Sequence, residues 1–525
     1  MINNIKTFFY IYREHFEMGI PSYFSYIIKN YSNIIRNQSG CEKIQHLLMD
    51  CNSIIYDSYR ELEEKYKKEP FDLTTIETQL IHNTICKIVE YIITISPDKS
   101  AFITFDGVAP FAKMDQQRIR RFKTQTSISS NSPPIWNTTS ITPGTTFMTN
   151  LSKSVKTYFR KNQIPNIRVF TSCSDEIGEG EHKLFHMLRT TDCKNDIIAV
   201  YGLDADLIML SIFHQQFCKN IYVFRESPTF KTVISSQFDE KELLFMDIYG
   251  FSNSIFQEMG KYDPADKQMR VTDYVFMCFL LGNDFLPHFP SLNIRTTGIQ
   301  KLMDTYYQTI GKFRDRSLIH RITKTLNWKY IGIFMTHLAN NEHSFLLKEY
   351  EIRQRWDDKK WPSDDPENIL LNTPVIYRAD EKYICPQQDG WQTRYYRRLL
   401  NIESHDIKST VINYLEGLEW VFLYYTSDCP DWRWKYNYSY PPLFKDIVKE
   451  ITIKNSYIKI KKPEPFTPIE QLLYVLPKTQ LSLIPKEHEE KINYPIENDF
   501  GITYQWAFCR YFWEAHPNFP ERSKN

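Results

Sequence analysis

Five short apolar runs, each about the length of a β-strand, recur through the first half of the chain with helical patterns between them. They are HLLMD ending at Asp50, AFITFD ending at Asp106, IRVFTS ending at Ser172, IIAVYGLD ending at Asp204 and IYVFR around Val223. Strand-length runs that alternate with helices cannot be joined as tight hairpins, so this order predicts an α/β fold with a mostly parallel central sheet flanked by helices. Between the first two runs Leu80, Ile81, Ile85, Ile88, Val89 and Ile92 recur at helical spacing, and Phe147, Leu151, Val155 and Phe159 do so later. Both predict helices lying on the sheet. The Ser/Thr/Asn/Pro-rich stretch 124–144 and the polar stretch 252–270 read as surface loops, and 340–409 reads as an irregular, charged connector. A second compact segment opens at about Thr410 with VINYLEGLEWVFLYY and continues into the aromatic-rich DWRWKYNYSYPP. The divisions expected are a first region ending at about 302, a connector 303–409 and a mainly helical second region 410–525.

Charge narrows the function classes. The 525 residues carry a net charge of +1, so any surface for a polyanion is a local patch and not a property of the whole chain. The ten cysteines include no CxxC pair, and Cys51, Cys86 and Cys278 lie in apolar runs, where a reduced thiol is the ordinary state. That predicts a reducing compartment, the cytoplasm, with the nucleus as alternative. No apolar stretch approaches the ~18 residues of a membrane span, and IKTFFYIYREHFE near the start is broken by charge with no cleavage pattern; a soluble protein without membrane contact is expected.

The carboxylates of the first half gather where strands end: Asp50, Asp106, and Asp204 and Asp206 in YGLDADLIML. In an open parallel sheet those ends line the ligand crevice, so the acids should face one another. Glu179 and Glu181 stand in a Gly-flanked turn entering a helix, and Asp284 in GNDFLPHFP follows an apolar helical run. A single strand-end aspartate is as often a turn or cap residue. Seven converging carboxylates would instead repel unless divalent cations neutralised them, and oxygen-only ligands select Mg²⁺ or Mn²⁺ over zinc. Two such ions, typically ~3.5–4 Å apart, support in-line phosphodiester displacement.

After FDGVAP, the run FAKMDQQRIRRFK places Lys113, Gln117, Arg120 and Arg121 at i, i+4, i+7 and i+8, one face of a helix. A solvated basic face is the ordinary reading of such a run. Its position beside the Asp106 strand end favours a phosphate site built from guanidinium forks, an ammonium and an amide.

In order along the chain, MGIPSYFSYI from Met18, FDGVAPFAKMDQQRIRRF, ITPGTTFM, GEGEHK, YGLDADLIML and GNDFLPHFPSL resemble the signature blocks of the Xrn family of 5′→3′ exoribonucleases. GLEWVFLYYTSDCPDWRWKYNYSYPP and PFTPIEQLLYVLP resemble that family's second characteristic region. The resemblance implies a PIN/flap-nuclease-like catalytic domain whose substrate channel the second region completes. It implies processive hydrolysis of single-stranded, 5′-monophosphorylated RNA to nucleoside 5′-monophosphates with two Mg²⁺ ions, for which Mn²⁺ can substitute. Asp50, Asp106, Glu179, Glu181, Asp204, Asp206 and Asp284 would then be the metal-binding, catalytic carboxylates. Lys113, Gln117, Arg120 and Arg121 would hold the 5′-phosphate. An indole of DWRW, Trp432 or Trp434, would stack on the bases together with Tyr56, which stands where the family usually has a stacking His. Asp115 replaces a usual Asn and is expected to weaken the local positive field, although at two residues from Lys113 it should face away from the pocket. The 124–144 stretch is shorter than its family counterpart, and the large C-terminal extensions of cellular members find no match. Met18 matches the family's usual start, leaving 1–17 as an extension or Met18 as the initiator.

Two other readings differ in class. A flap endonuclease acting on DNA shares the acid cluster but follows its last acidic motif with a Gly-rich helical hairpin, and GNDFLPHFPSLNIRTTGI has no such GIG pattern. A non-catalytic RNA-binding protein of the same fold would have lost one or more of the acids, and all seven are present.

Overall fold

A computed structural model of the chain describes residues 22–66, 73–127, 135–202, 204–226, 242–260, 262–361, 365–452, 456–459, 464–491 and 502–519. The 1–17 extension, the Met18–Pro21 part of the first signature block and Leu203 lie outside them. The five apolar runs are strands: β2 (His46–Asp50), β3 (Ser100–Thr104), β4 (Arg168–Ser172), β5 (Cys193–Tyr201) and β6 (Cys218–Glu226). Two more strands, β1 (Ile35–Asn37) and β7 (Leu243–Asp247), complete a seven-stranded sheet of order β1-β7-β6-β5-β2-β3-β4. The pairs from β4 to β6 are parallel, while β7 runs antiparallel to β6 and β1 antiparallel to β7. The sheet is therefore mixed, mostly parallel.

Side chains alternate across each strand, so both faces are apolar. Leu48, Ile198, Val200 and Val223 point into one core, and Leu47, Met49, Ile197, Ala199 and Phe224 into the other. The second face carries α2 (Asn52–Tyr66), α3 (Leu73–Ile95) and α5 (Thr146–Lys161), the last two being the periodic helices expected. The first face carries α1 (Tyr23–Asn30), α6 (Gly180–Thr190), α7 (Ala205–His214), α8 (Ile248–Met259) and α9 (Lys267–Cys278). That core continues without a break into the helices of the second half. These include α10 (Gly298–Tyr306), α11 (Trp328–Gln354), α15 (Ile407–Thr426) and α16 (Phe444–Glu450). A helix α4 (Phe111–Ser127) leaves the end of β3, and α17 (Pro468–Val475), opened by a Thr467/Glu470 capping box, packs Val475 against its Met114.

Three stretches differ from expectation. The 252–270 segment is mostly helical, because Ile248, Phe251, Ile255 and Met259 form a buried stripe that the intervening polar residues mask. Its polar end is also interior: Arg270 and Asp273 on α9 are buried and bonded to Tyr306. Within 124–144, α4 runs on to Ser127, residues 128–134 lie outside the described set, and Trp136, Ser140, Ile141 and Thr142 are buried, so the described remainder is not a surface loop. The 340–409 segment, which read as irregular, carries the end of α11 and then α12 (Pro366–Ile376), α13 (Ala379–Ile384) and α14 (Trp391–Tyr395). Its charges misled because they pair inside the fold: Glu381 binds Arg353 at 2.5 Å and Arg378 at 2.8 Å, all three buried.

Candidate active site

The chain builds β2, β3 and β4 toward one edge and then returns to place β5 and β6 on the other side of β2. The order of strands reverses between β2 and β5. A crevice opens at such a switch point, beyond the carboxyl ends of the strands. Asp50 is the last residue of β2, Asp106 follows β3 by two residues, and Asp204 follows β5 as the N-cap of α7, with Asp206 in that helix's first turn. Glu179 is the N-cap of α6 and Glu181 lies in its first turn. Asp284 follows the short 3₁₀ turn that continues α9. Four of the acids thus sit at helix N-termini, whose partial positive charge favours anions. The packing is close: Gly180 N donates to Asp106 Oδ1 at 2.7 Å, and a Cβ on Gly180 would stand 2.7 Å from Asp50 Oδ1.

All seven acids come together, and their charges feel one another. Burial pushes the carboxyls of Asp50 and Glu181 well above the usual range, and neighbouring carboxylates push the same way. Asp206 is pushed up to about 8 by burial and then by Asp284. Burial also raises Asp204 and Glu179, Arg225 opposing it at the first and Lys113 at the second. Lys113 sits among them, 5% exposed, 2.7 Å from Glu179 Oε2 and 2.8 Å from Asp284 Oδ2. Burial alone would lower its pKa; the surrounding carboxylates overcome that and hold the ammonium well above the lysine range. Ligand atoms of Glu179, Glu181 and His182 lie within 4.8 Å of one another, close enough to share a cation.

The basic helix is divided in its duties. Lys113 faces the acids, Gln117 accepts from Gln471 Nε2 at 3.4 Å, and Arg121 donates from Nη2 to Thr142 Oγ1 at 2.5 Å. The Arg121 Nη1 atom is buried with no protein partner, and burial holds this guanidinium down at about 10, with Tyr56 and Arg120 beside it. Tyr56 itself is partly buried on the first turns of α2. Asp115 does not weaken this field as expected: Lys435 lies 3.1 Å away and the Tyr474 hydroxyl donates to the same carboxylate oxygen. The two indoles of DWRW separate cleanly. Trp434 is buried, stacked on Trp420 at 5.2 Å and pressed against Gly417, which removes it as a base-stacking residue. Trp432 is partly exposed, and its carbonyl accepts from Phe111 N at 3.0 Å, tying it to the start of the basic helix.

Known proteins with these sequence features are specific. The pattern described as "XRN 5'-3' exonuclease N-terminus" matches residues 18–227, and the one described as "Xrn1 helical domain" matches 264–368 and 380–498. The chain belongs to the Xrn family. A curated Xrn relative from Schizosaccharomyces pombe, "5'-3' exoribonuclease 1", is 26% identical over 89% of this chain and 44% of its own length. The "5'-3' exoribonuclease 1" of Homo sapiens is likewise 26% identical, over 89% of this chain and 31% of its own length. The "5'-3' exoribonuclease 2" of Arabidopsis thaliana is 25% identical over 96% of this chain and 66% of its own length. The chain thus spans under half the length of the first two.

Several groups in this Xrn site escaped the sequence reading. The hydroxyls of Tyr424 and Tyr425, adjacent on α15, donate to Glu179 and Asp206. Burial drives both phenols well above their ordinary range, so they stay protonated donors. His182 stacks on Tyr424 with ring centroids 3.6 Å apart, and burial holds it neutral. Gln471, fully buried, accepts from Ala109 N at 2.9 Å while bonding Gln117. The one available signal was the polar tips of YY in an otherwise apolar run, since a buried phenol needs a partner.

Proposed function

We propose that the chain is a divalent-metal-dependent 5′→3′ exoribonuclease that takes single-stranded RNA by a 5′-monophosphate end and releases nucleoside 5′-monophosphates processively in the cytoplasm. The observation that carries the reading is the convergence of seven carboxylates at the switch point, two of them, Glu179 and Asp284, paired with Lys113 at the foot of the helix bearing Arg120 and Arg121. The relatives' names point the same way.

The donor set suits a hard cation: carboxylate oxygens, mutually repelling and largely buried, in numbers that one ammonium does not neutralise. Asp50, Asp106, Glu179, Glu181, Asp204, Asp206 and Asp284 would hold it. Bound there, Mg²⁺ or Mn²⁺, two ions in this reading, supplies Lewis-acid polarisation of the scissile phosphate and a water of lowered pKa. Arg121 Nη1, Arg120 and Gln117 receive the terminal phosphate, and Lys113, paired with Glu179 and Asp284, stands between that end of the helix and the acids as their counter-charge. Tyr56 and Trp432 offer aromatic faces that stack on any base at ~1–3 kcal/mol each, which gives degradation without sequence preference.

The test is a uniformly labelled, 5′-monophosphorylated RNA incubated with Mg²⁺ or with a chelator. Mononucleotides released only with metal are the expected result. Oligonucleotide products, or faster cutting of a DNA flap, would overturn the reading.

Three substitutions probe the geometry. Gly180→Ala forces the Asp50 carboxylate aside, and because misplacement by about 1 Å costs on the order of 10²-fold, turnover should fall by about that factor with the fold retained. Trp434→Ala should cost about 3–5 kcal/mol in urea unfolding, as loss of a buried indole does. Trp432→Ala should leave the melting temperature almost unchanged and slow decay of every RNA sequence by about tenfold, within the range of one lost stacking contact.

A further inference from the structure

Helix α15 comes from the second half of the chain, yet its last full turn ends inside the acid cluster. Successive residues of a helix diverge by about 100° and cannot address one point. Here they straddle two targets. Tyr424 donates to Glu179 Oε1 at 2.5 Å, at the N-terminus of α6, and Tyr425 donates to Asp206 Oδ1, at the N-terminus of α7. The rings are locked in turn. Tyr424 lies between His182, 3.6 Å away, and Trp420, 4.7 Å away, and Tyr425 meets Phe279 edge-on at 5.1 Å. Both tyrosines are buried, at 3% and 1% exposure.

We infer that Tyr424 and Tyr425 are positioning residues, through which the helical region holds the Glu179 and Asp206 carboxylates in the orientation that binds metal. Each phenol occupies one oxygen of its carboxylate. Tyr425 thus holds Asp206 by Oδ1 against the repulsion of the neighbouring Asp284 and Asp204 carboxylates. Glu179 is pinned from both sides, by Tyr424 at Oε1 and Lys113 at Oε2. Partners of this outer kind tune affinity as well as rate, typically by 10- to 100-fold. The inference rests on the metal-site reading of the seven acids and extends it to residues over two hundred positions away in sequence.

The experiment measures Mn²⁺ binding to the full chain by the electron paramagnetic resonance of free Mn²⁺, alongside RNA turnover and melting temperature. Wild type, Tyr424→Phe, Tyr425→Phe and a control, Tyr414→Phe, are compared. Tyr414 is a buried tyrosine on the same helix whose hydroxyl has no partner, so its removal isolates the loss of a phenol from the loss of a carboxylate contact. Expected are Mn²⁺ affinities about 10- to 100-fold weaker for the first two variants, turnover restored by raised Mn²⁺, and an unchanged KM for RNA. The control should match wild type. Because each substitution keeps its ring, packing persists; if one variant does not fold, the other still tests a separate carboxylate. Unchanged Mn²⁺ affinity with a lowered melting temperature would make the phenols structural struts and overturn the inference. A wild-type chain that binds no Mn²⁺ would instead sink the metal-site reading, and this inference with it.

Discussion

Asp204→Ala and Asp206→Ala should each cut mononucleotide release by at least about 10³-fold, equivalent to about 4 kcal/mol of lost transition-state stabilisation. Both side chains lie at the start of α7, directly beyond the carboxyl end of β5, and neither contributes to the apolar core. Their removal should leave the circular-dichroism spectrum unchanged and most RNA binding intact. A second readout does not depend on turnover. In chelator the Asp204→Ala variant should melt at or above the wild-type temperature, because a carboxyl whose ionisation burial opposes is gone. Adding Mg²⁺ to a hundredfold excess over its Kd stabilises a one-site protein by about 2.7 kcal/mol, so wild type should gain and the variants should not. Normal metal-dependent turnover by either variant removes that residue from the ligand set. A changed spectrum would assign it a structural role.

The second large effect is at the RNA end. A 5′-monophosphate should be degraded about 10²-fold faster than a 5′-hydroxyl, and a triphosphate or cap should be poor. The pocket offers a buried Arg121 Nη1 donor with no protein partner, and charge-assisted hydrogen bonds are worth about 1.5–3 kcal/mol each. A hydroxyl end leaves that donor unpaired. A longer phosphate chain needs the space filled by Gln471 and Thr142, both fully buried and both bonded to the basic helix. It would also displace the scissile bond from the acids. Arg121→Ala should therefore lower kcat/KM on the monophosphate by about 10- to 10²-fold and flatten the preference among ends, and Arg120→Ala should act in the same direction. Comparing one RNA sequence with each end on wild type and both variants is the measurement. Equal rates on all ends would remove the helix from recognition of the RNA end.

What could be read from the chain was what burial forces on local sequence. Central strands covered on both faces must be apolar throughout, so HLLMD, AFITF and IIAVY stand out without any knowledge of their neighbours. An unpaired aspartate is costly in such a run, and its appearance at the carboxyl end of one marks the strand's exit into the crevice. The same logic placed Glu179, Glu181 and Asp284, each in a turn against an apolar helix. Antiparallel β7 was not legible, because LLFMD has the same pattern as a parallel strand and only the connection sets its direction. The polar 252–270 and 340–409 stretches misled for the opposite reason: their charges are satisfied by partners far away in sequence, which no window can contain.

Partnership over distance is what tertiary structure alone decided. Trp432 and Trp434 are equivalent in the sequence, and the gap above Gly417 beside Trp420 chooses which is core and which stays partly exposed. Asp115 looks like a flaw in a basic helix until Lys435, 320 residues later, lies against it. Tyr424 and Tyr425 read as packing until the fold brings them to Glu179 and Asp206 across 245 and 219 residues. Local sequence determines where polar groups emerge from the core, because exclusion of charge from apolar surroundings acts residue by residue. Which groups then meet depends on how two packed halves of the chain share one interior, and that is a property of the whole fold.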